Sequence, residues 1–306
     1  MPFQNVSAPD RLRLSLQMPL AVALQVYRLF LYAYDTFRFT GSPAAMLVYL
    51  GVAKKLDLKL KNGRPFRLTK SNFHQLIGMA ADSAVGLDSR FKVCNKDDYR
   101  IISSDRWRVA TIGGIRPVMV EFEKGVHTHV DVKNKDVVDI GSYMGETALY
   151  FAIKGHARKV YTFESVKSLY KAAVKNIRLN KLDGKIKAYN VAIVERSVNS
   201  RNSFSLDGNK APTATLGSLC RILKINDGVL KIDVEGAEYG IINCASSSTL
   251  RRFSFIHIEY HYGYSDLVER LMKEGFDVNY TKPVPVIVGL FSGVKYMGDI
   301  IAKRRN

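Results

Sequence analysis

Val137-Val138-Asp139-Ile140-Gly141-Ser142-Tyr143-Met144-Gly145-Glu146-Thr147 is the stretch that decides the fold. Its first four residues are an apolar run broken only by Asp139, the pattern of a strand buried on both faces. Two glycines with three residues between them follow, and Ala148, Leu149, Phe151 and Ala152 then repeat at helical spacing up to Gly155. A strand, a glycine turn and a helix in that order open a parallel α/β unit. In such sheets ligands bind beyond the carboxyl ends of the strands, beside helix N-termini whose free N–H groups favour anions. Glycine at 141 and 145 lets the backbone turn sharply and approach a ligand closely.

The pattern continues downstream. Extended apolar runs read at Val160–Phe163, Ile186–Val191, Val229–Val234 and Phe255–Tyr260, with helices between them. Ser165 is placed to cap the helix that carries Leu169, Ala172, Ala173 and Ile177, and Ser265 to Lys273 is a further amphipathic helix ended by Gly275. Phe276–Tyr280 and Tyr296–Ala302 read as a closing antiparallel pair. The second strand ends on Glu164, where a carboxylate accepts both hydroxyls of a ribose. A dinucleotide site would prefer a glycine at position 143; tyrosine stands there. Asn190 reads equally as a partner for a base edge, with the Ala192 peptide beside it, or as a turn cap.

Upstream, residues 1–56 read as a helical, apolar segment and 57–116 as a small α+β extension ahead of a main domain at 117–306. Leu56–Leu60 and Phe66–Leu68 flank Asn62-Gly63 as a hairpin would. A helix is expected from Ser71 to Ala81, and extended structure over Val118–Phe122. From Leu16 to Phe37 the chain is strongly apolar, but Gln25 and Arg28 interrupt it and Asp35 and Arg38 close it. This segment is expected to cover a domain as a buried helix, with peripheral membrane contact through residues 16–37 as the alternative and a bilayer span the least favoured.

The net charge is +18, and dividing the chain near residue 130 gives each part half of that excess. A spread positive surface favours anions in general without choosing among nucleic acid, lipid or small carboxylates. Cys94, Cys220 and Cys244 are distant from one another, an odd set that suggests neither a zinc site nor a disulfide framework. A cytoplasmic setting, with peripheral attachment to a membrane as the variant, is the expectation.

Asp139–Gly145, Val160–Glu164, Asn176-Ile-Arg-Leu-Asn180 and above all Leu230-Lys-Ile-Asp233-Val-Glu235-Gly236-Ala-Glu238 resemble the FkbM-like methyltransferases over roughly residues 117 to 303. One departure is Ser165, where many members carry proline. The resemblance implies a class I, Rossmann-like fold with a seven-stranded, mostly parallel sheet. It also implies S-adenosylmethionine as cofactor, contacted by Asp139, Gly141, Ser142, Tyr143, Gly145 and Glu164, and O-methylation of a hydroxyl on a sugar, glycan, lipid or other metabolite.

Removing a hydroxyl proton during transfer needs a base at the carboxyl ends of the fourth and fifth strands. Asp233, Glu235, Glu259 and His261 are the candidates; strand alternation puts Asp233 with Glu235, and His257 with Glu259 and His261. Glu235-Gly-Ala-Glu238 reads equally as a solvated helix start. No metal is expected, since the spacing of these acids does not demand one. His127 and His129 read as exposed strand residues. An RNA methyltransferase is the first alternative, disfavoured because two acids stand where a base or phosphate would approach. A membrane-surface protein on a methyltransferase fold is the second.

Overall fold

The computed structural model describes residues 5–60, 65–69, 92–96, 99–111, 129–196, 204–206, 209–288 and 293–305, with Gly63, Phe73, Leu76 and Phe122 besides. The chain divides into two compact units. The first comprises residues 1–17, 125–286 and 293–306; the second comprises residues 18–124 and 287–292.

The first unit is built on a central sheet. Its strands, in chain order, are β1 (Asp136–Ile140), β2 (Lys159–Phe163), β3 (Ile186–Tyr189), β4 (Gly228–Ile232), β5 (Phe253–Tyr260), β6 (Phe276–Tyr280) and β7 (Gly293–Arg304). They lie in the order β6-β7-β5-β4-β1-β2-β3, and Val284–Val288 adds an eighth strand on β7. β1 to β5 are parallel to one another, while β7 runs antiparallel between β5 and β6. This is the class I, Rossmann-like arrangement, with the closing antiparallel pair where the sequence places it. β4 lies inside the sheet and is buried along its whole length, and apart from Lys231 it reads as an apolar run rather than an alternating one.

Helices cover the sheet. Glu146–Ile153 follows β1, and Lys167–Leu179 follows β2. The second of these starts from Val166 without a side-chain cap, so Ser165 does not take the capping part expected of it. Glu238–Cys244 follows β4 and Ser265–Lys273 follows β5. One core joins Val138, Ile140, Leu230, Ile232, Ile256 and Ile258 from the strands to Ile241, Leu267 and Leu271 from the helices.

In the second unit, Lys55–Lys59 and Pro65–Thr69 pair antiparallel as the expected hairpin, and Lys92–Lys96, Tyr99–Ser103 and Arg108–Thr111 form a three-stranded sheet. Ala45, Val48, Tyr49, Leu68, Phe73 and Leu76 make its core. Most of the helix expected at Ser71 to Ala81, the run Val118–Glu121, and His127 lie outside the described residues; Phe122 is helical. The segment Ala8–Thr40 is one helix of 33 residues, here α1, whose first ten residues belong to the first unit and the rest to the second.

Candidate active site

The glycine turn after β1 is held from three sides. The Gly141 and Ser142 N–H groups both donate to the Phe163 carbonyl at the end of β2, at 3.0 and 3.3 Å. Gly141 has φ +82° and packs so closely on β4 that a Cβ would stand 1.7 Å from the Asp233 carbonyl oxygen. Gly145, at φ +84°, starts the following helix against Ala173, 3.1 Å from where its Cβ would be. The Asn176 side-chain amide donates to the Met144 carbonyl at 2.8 Å. Tyr143 is at φ +52°, a left-handed conformation uncommon for a bulky residue.

Asp139 is fully buried beneath this loop. It accepts a 2.7 Å hydrogen bond from the Thr162 hydroxyl and stands 3.6 Å from the Lys231 ammonium. Its part is to hold the loop. Glu164, at the end of β2, receives the Tyr143 N–H on one carboxylate oxygen and the Val166 N–H on the other, at 3.0 and 2.8 Å. Burial raises its pKa, and the two N–H groups oppose that rise. Each of its oxygens keeps a further lone pair, so a ribose diol can still be accepted there. The Ser142 hydroxyl is buried in the loop and, among the described residues, meets no hydrogen-bond partner. A buried hydroxyl without a partner is costly unless a ligand supplies one. The loop thus fits a cofactor with a sugar diol and a polar tail.

The Asn190 amide donates to the carbonyls of Glu164 and Ser165 at 2.8 and 3.0 Å and ties the end of β3 to that of β2. Ala192 is buried, and its N–H goes to the Pro212 carbonyl at 2.9 Å.

Across β4 and β5 the acids and the histidine converge. His261 is wholly buried. Its Nδ1 is 3.0 Å from a Glu238 carboxylate oxygen that also accepts the His261 N–H at 3.1 Å. The other Glu238 oxygen accepts the Gly236 N–H at 2.8 Å. Glu238 is itself fully buried; it is the anchor of two loops, and the solvated helix start does not describe it. The His261 Nε2 is aimed outward, 3.8 Å from Asp233 and 3.5 Å from Glu235. Those two side chains are 32% and 71% exposed against 0% for His261, so they stand between the ring and solvent. Glu235 sits at φ +58° and pairs with the Lys295 ammonium.

Burial acts first on His261 and lowers its pKa; the hydrogen bond and charge of Glu238, with the charges of Glu235 and Asp233, outweigh it and hold the pKa above the ordinary value. Glu259 is shifted further. Burial and then the charge of Asp233 push it up to about 7, although His261 pulls the other way. Asp233, Glu259 and His261 each offer an atom within 4.8 Å of the others, a compact set of one nitrogen and two oxygen donors. His257 shares their strand face but turns its Nε2 to Asp299 at 3.0 Å, and the His129 ring stands edge-on to it at 4.9 Å.

Sequence reasoning missed Lys231. It lies inside β4, 3% exposed, and donates a 2.9 Å hydrogen bond to the Gly141 carbonyl while standing 3.7 Å from Asp233. The available signal was a lysine in the middle of an otherwise apolar strand, a residue that is almost never buried unless paired.

A turn that fits a nucleoside cofactor after β1 and a cluster of bases after β4 and β5 define, on this sheet, a group-transfer enzyme of the class I methyltransferase type. Residues 139–278 match the family described as Methyltransferase FkbM domain. No curated protein matches the sequence. Among solved structures, a putative transferase from Pyrococcus horikoshii is 14% identical, with 77% of this chain and 85% of that one covered and a TM-score of 0.43. TYW2 of M. jannaschii, in complex with AdoMet, is 16% identical over 69% of this chain and 89% of that one, TM-score 0.42. Methyltransferase FkbM from Methylobacillus flagellatus is 14% identical over 60% and 47%, TM-score 0.41. Such scores are low; the family match and the sheet itself define the class.

Proposed function

We propose that the protein is an S-adenosylmethionine-dependent O-methyltransferase acting on a hydroxyl of a sugar, glycan, lipid-linked or other metabolite. The observation that carries the reading is Glu259, a half-buried carboxyl with its pKa near 7, beside Asp233 at the end of the neighbouring strand. A general base works best when its pKa lies near the working pH, and a hydroxyl acceptor needs one.

The cofactor supplies an electrophilic methyl group on a sulfonium. Ser142, Tyr143 and Glu164 would hold it, the last through its ribose, as the unpartnered Ser142 hydroxyl and the free lone pairs of Glu164 suggest. Asp233 orients the acceptor by accepting its O–H, and Glu259 takes the proton as the new C–O bond forms and the C–S bond breaks. A bound cofactor would leave as the neutral thioether, with the electron pair of that bond on sulfur. His261, pinned by Glu238, does not face solvent and acts as a positioning residue behind the two acids. Orientation supplies much of the rate in such a displacement.

Transfer of labelled methyl from S-adenosylmethionine into fractionated host extract tests this reading. Label is expected in an alkali-stable ether of a hydroxyl-bearing metabolite, strongly reduced with Glu259→Gln. Label on a nucleobase would replace it with the RNA reading, and no transfer together with no cofactor binding would overturn it.

A further inference from the structure

Helix α1 is built inside out for a helix lying on a protein. Its inward side chains include Leu14 but also Gln25 and Thr36, all buried, whereas large apolar residues from Leu12 to Phe37 face outward. Leu16 and Phe30 are 74% and 76% exposed, and Leu20, Tyr27, Tyr34 and Phe37 belong to the same face. Placed at about 100° per residue, the exposed apolar side chains fill an arc of roughly 200°. Soluble helices show the opposite, with the apolar stripe inward and the polar face outward. The expectation that this segment covers a domain as a buried helix therefore fails for most of its length; only its inner side is engaged, Leu14 with Val6 and Tyr296 in the first unit, and Leu29 and Tyr32 with the core of the second.

We propose that the outer face of α1 lies in the plane of an anionic membrane, with its apolar arc buried at the boundary of headgroups and acyl chains. The width of the arc selects this occupant. A second copy of the chain paired through a coiled-coil seam would need only two positions per heptad and would leave Val22, Leu24, Val26 and Leu31 in water. Charge agrees: the chain carries +18, and Arg11 and Arg28 sit at the two margins of the arc, where long basic side chains reach lipid phosphates. By length and composition Ala8–Tyr34 could cross a bilayer. Asp10 argues for the in-plane course: buried against protein, it accepts a 2.7 Å hydrogen bond from Tyr264, which fixes the start of the helix to the first unit. Aromatic Tyr27, Phe30, Tyr34 and Phe37 suit the interface.

The test is flotation of the full chain with vesicles of phosphatidylcholine alone and of phosphatidylcholine mixed with phosphatidylglycerol. The chain is expected to float with the mixed vesicles, less with the neutral ones, and less again as salt rises. The pair Leu20→Asp and Phe30→Asp is expected to lower the bound fraction at least about tenfold, since each removes an apolar side chain from the buried face and adds a charge that the anionic surface repels. Both positions are exposed, so cofactor binding measured by calorimetry is expected to be unchanged in the variant, which separates loss of attachment from loss of folding or of the site. Absence of flotation by the unsubstituted chain, or flotation unaltered by the two substitutions, overturns the proposal. A dimer by light scattering that the substitutions turn into a monomer, with no vesicle binding, overturns it in favour of a second copy.

Discussion

The Lys231 ammonium donates to the Gly141 carbonyl at 2.9 Å and so joins the turn that fits the cofactor to the strand that leads into Asp233. The same ammonium lies 3.6 Å from Asp139 and 3.7 Å from Asp233, which makes it the shared counter-ion of both halves of the site. Lys231→Met keeps the apolar stem and removes the charge, leaving Asp139 buried without it. Breaking a buried pair in this way costs about 3–5 kcal/mol. Denaturant unfolding is expected to show a loss of that order, together with weaker cofactor binding. A variant as stable as the parent would remove Lys231 from this role.

Gly141→Ala tests the closeness of β1 and β4. The added methyl would fall 1.7 Å from the Asp233 carbonyl oxygen, on backbone that already has a positive φ. Calorimetry is expected to find no cofactor binding. Ser142→Ala leaves the backbone alone and removes only the unpartnered hydroxyl; its cofactor affinity is expected to fall by about tenfold, in keeping with one lost hydrogen bond.

The pH dependence of kcat/KM is expected to rise through a limb near 7, the value at which Glu259 gives up its proton. The causes of that value fix the direction of two further shifts. Asp233→Asn removes a negative neighbour and moves the limb down, while His261→Gln removes a group that lowers the Glu259 pKa and moves it up. Glu259→Gln abolishes the limb. Profiles that move in the opposite senses would assign the base elsewhere.

Stability carries the same signs. Glu259 has a folded pKa of about 7 against an ordinary 4.5, so the unfolded chain ionises first and stability falls as the pH rises between those values. His261 has its pKa raised above 6.5; its contribution is complete below that pH and is lost as pH rises through the folded value. Denaturation across this range is expected to show a decline on both accounts, reduced at the acid end by Glu259→Gln. Glu238→Gln removes the charge that outweighs burial at His261, so the imidazole titration followed by NMR is expected to move down.

The sheet was legible because buried parallel strands leave runs such as Val137–Ile140 and Leu230–Ile232 that local pattern alone reveals. Gly141 and Glu164 were legible for the same local reason, as residues at strand ends. Glu238 and Lys231 were not, because their parts depend on which strands become neighbours: β4 lies between β1 and β5, and only that adjacency brings Lys231 to Gly141 or Glu238 to His261. Asn190 kept two readings because the sequence does not show that its amide engages Glu164 and Ser165. The apolar character of Leu16 to Phe37 was plain, but composition says nothing about which way the side chains face.

Because β1 and β2 present the turn that fits the cofactor while β4 and β5 present the acids, the two halves of the proposed reaction hang from opposite flanks of one β1–β4 seam. The segments beyond Ile232 and Tyr260 can therefore diverge in descent while the turn at Gly141 stays as it is. A lineage on this scaffold is free to change what it marks without relearning how to carry the mark.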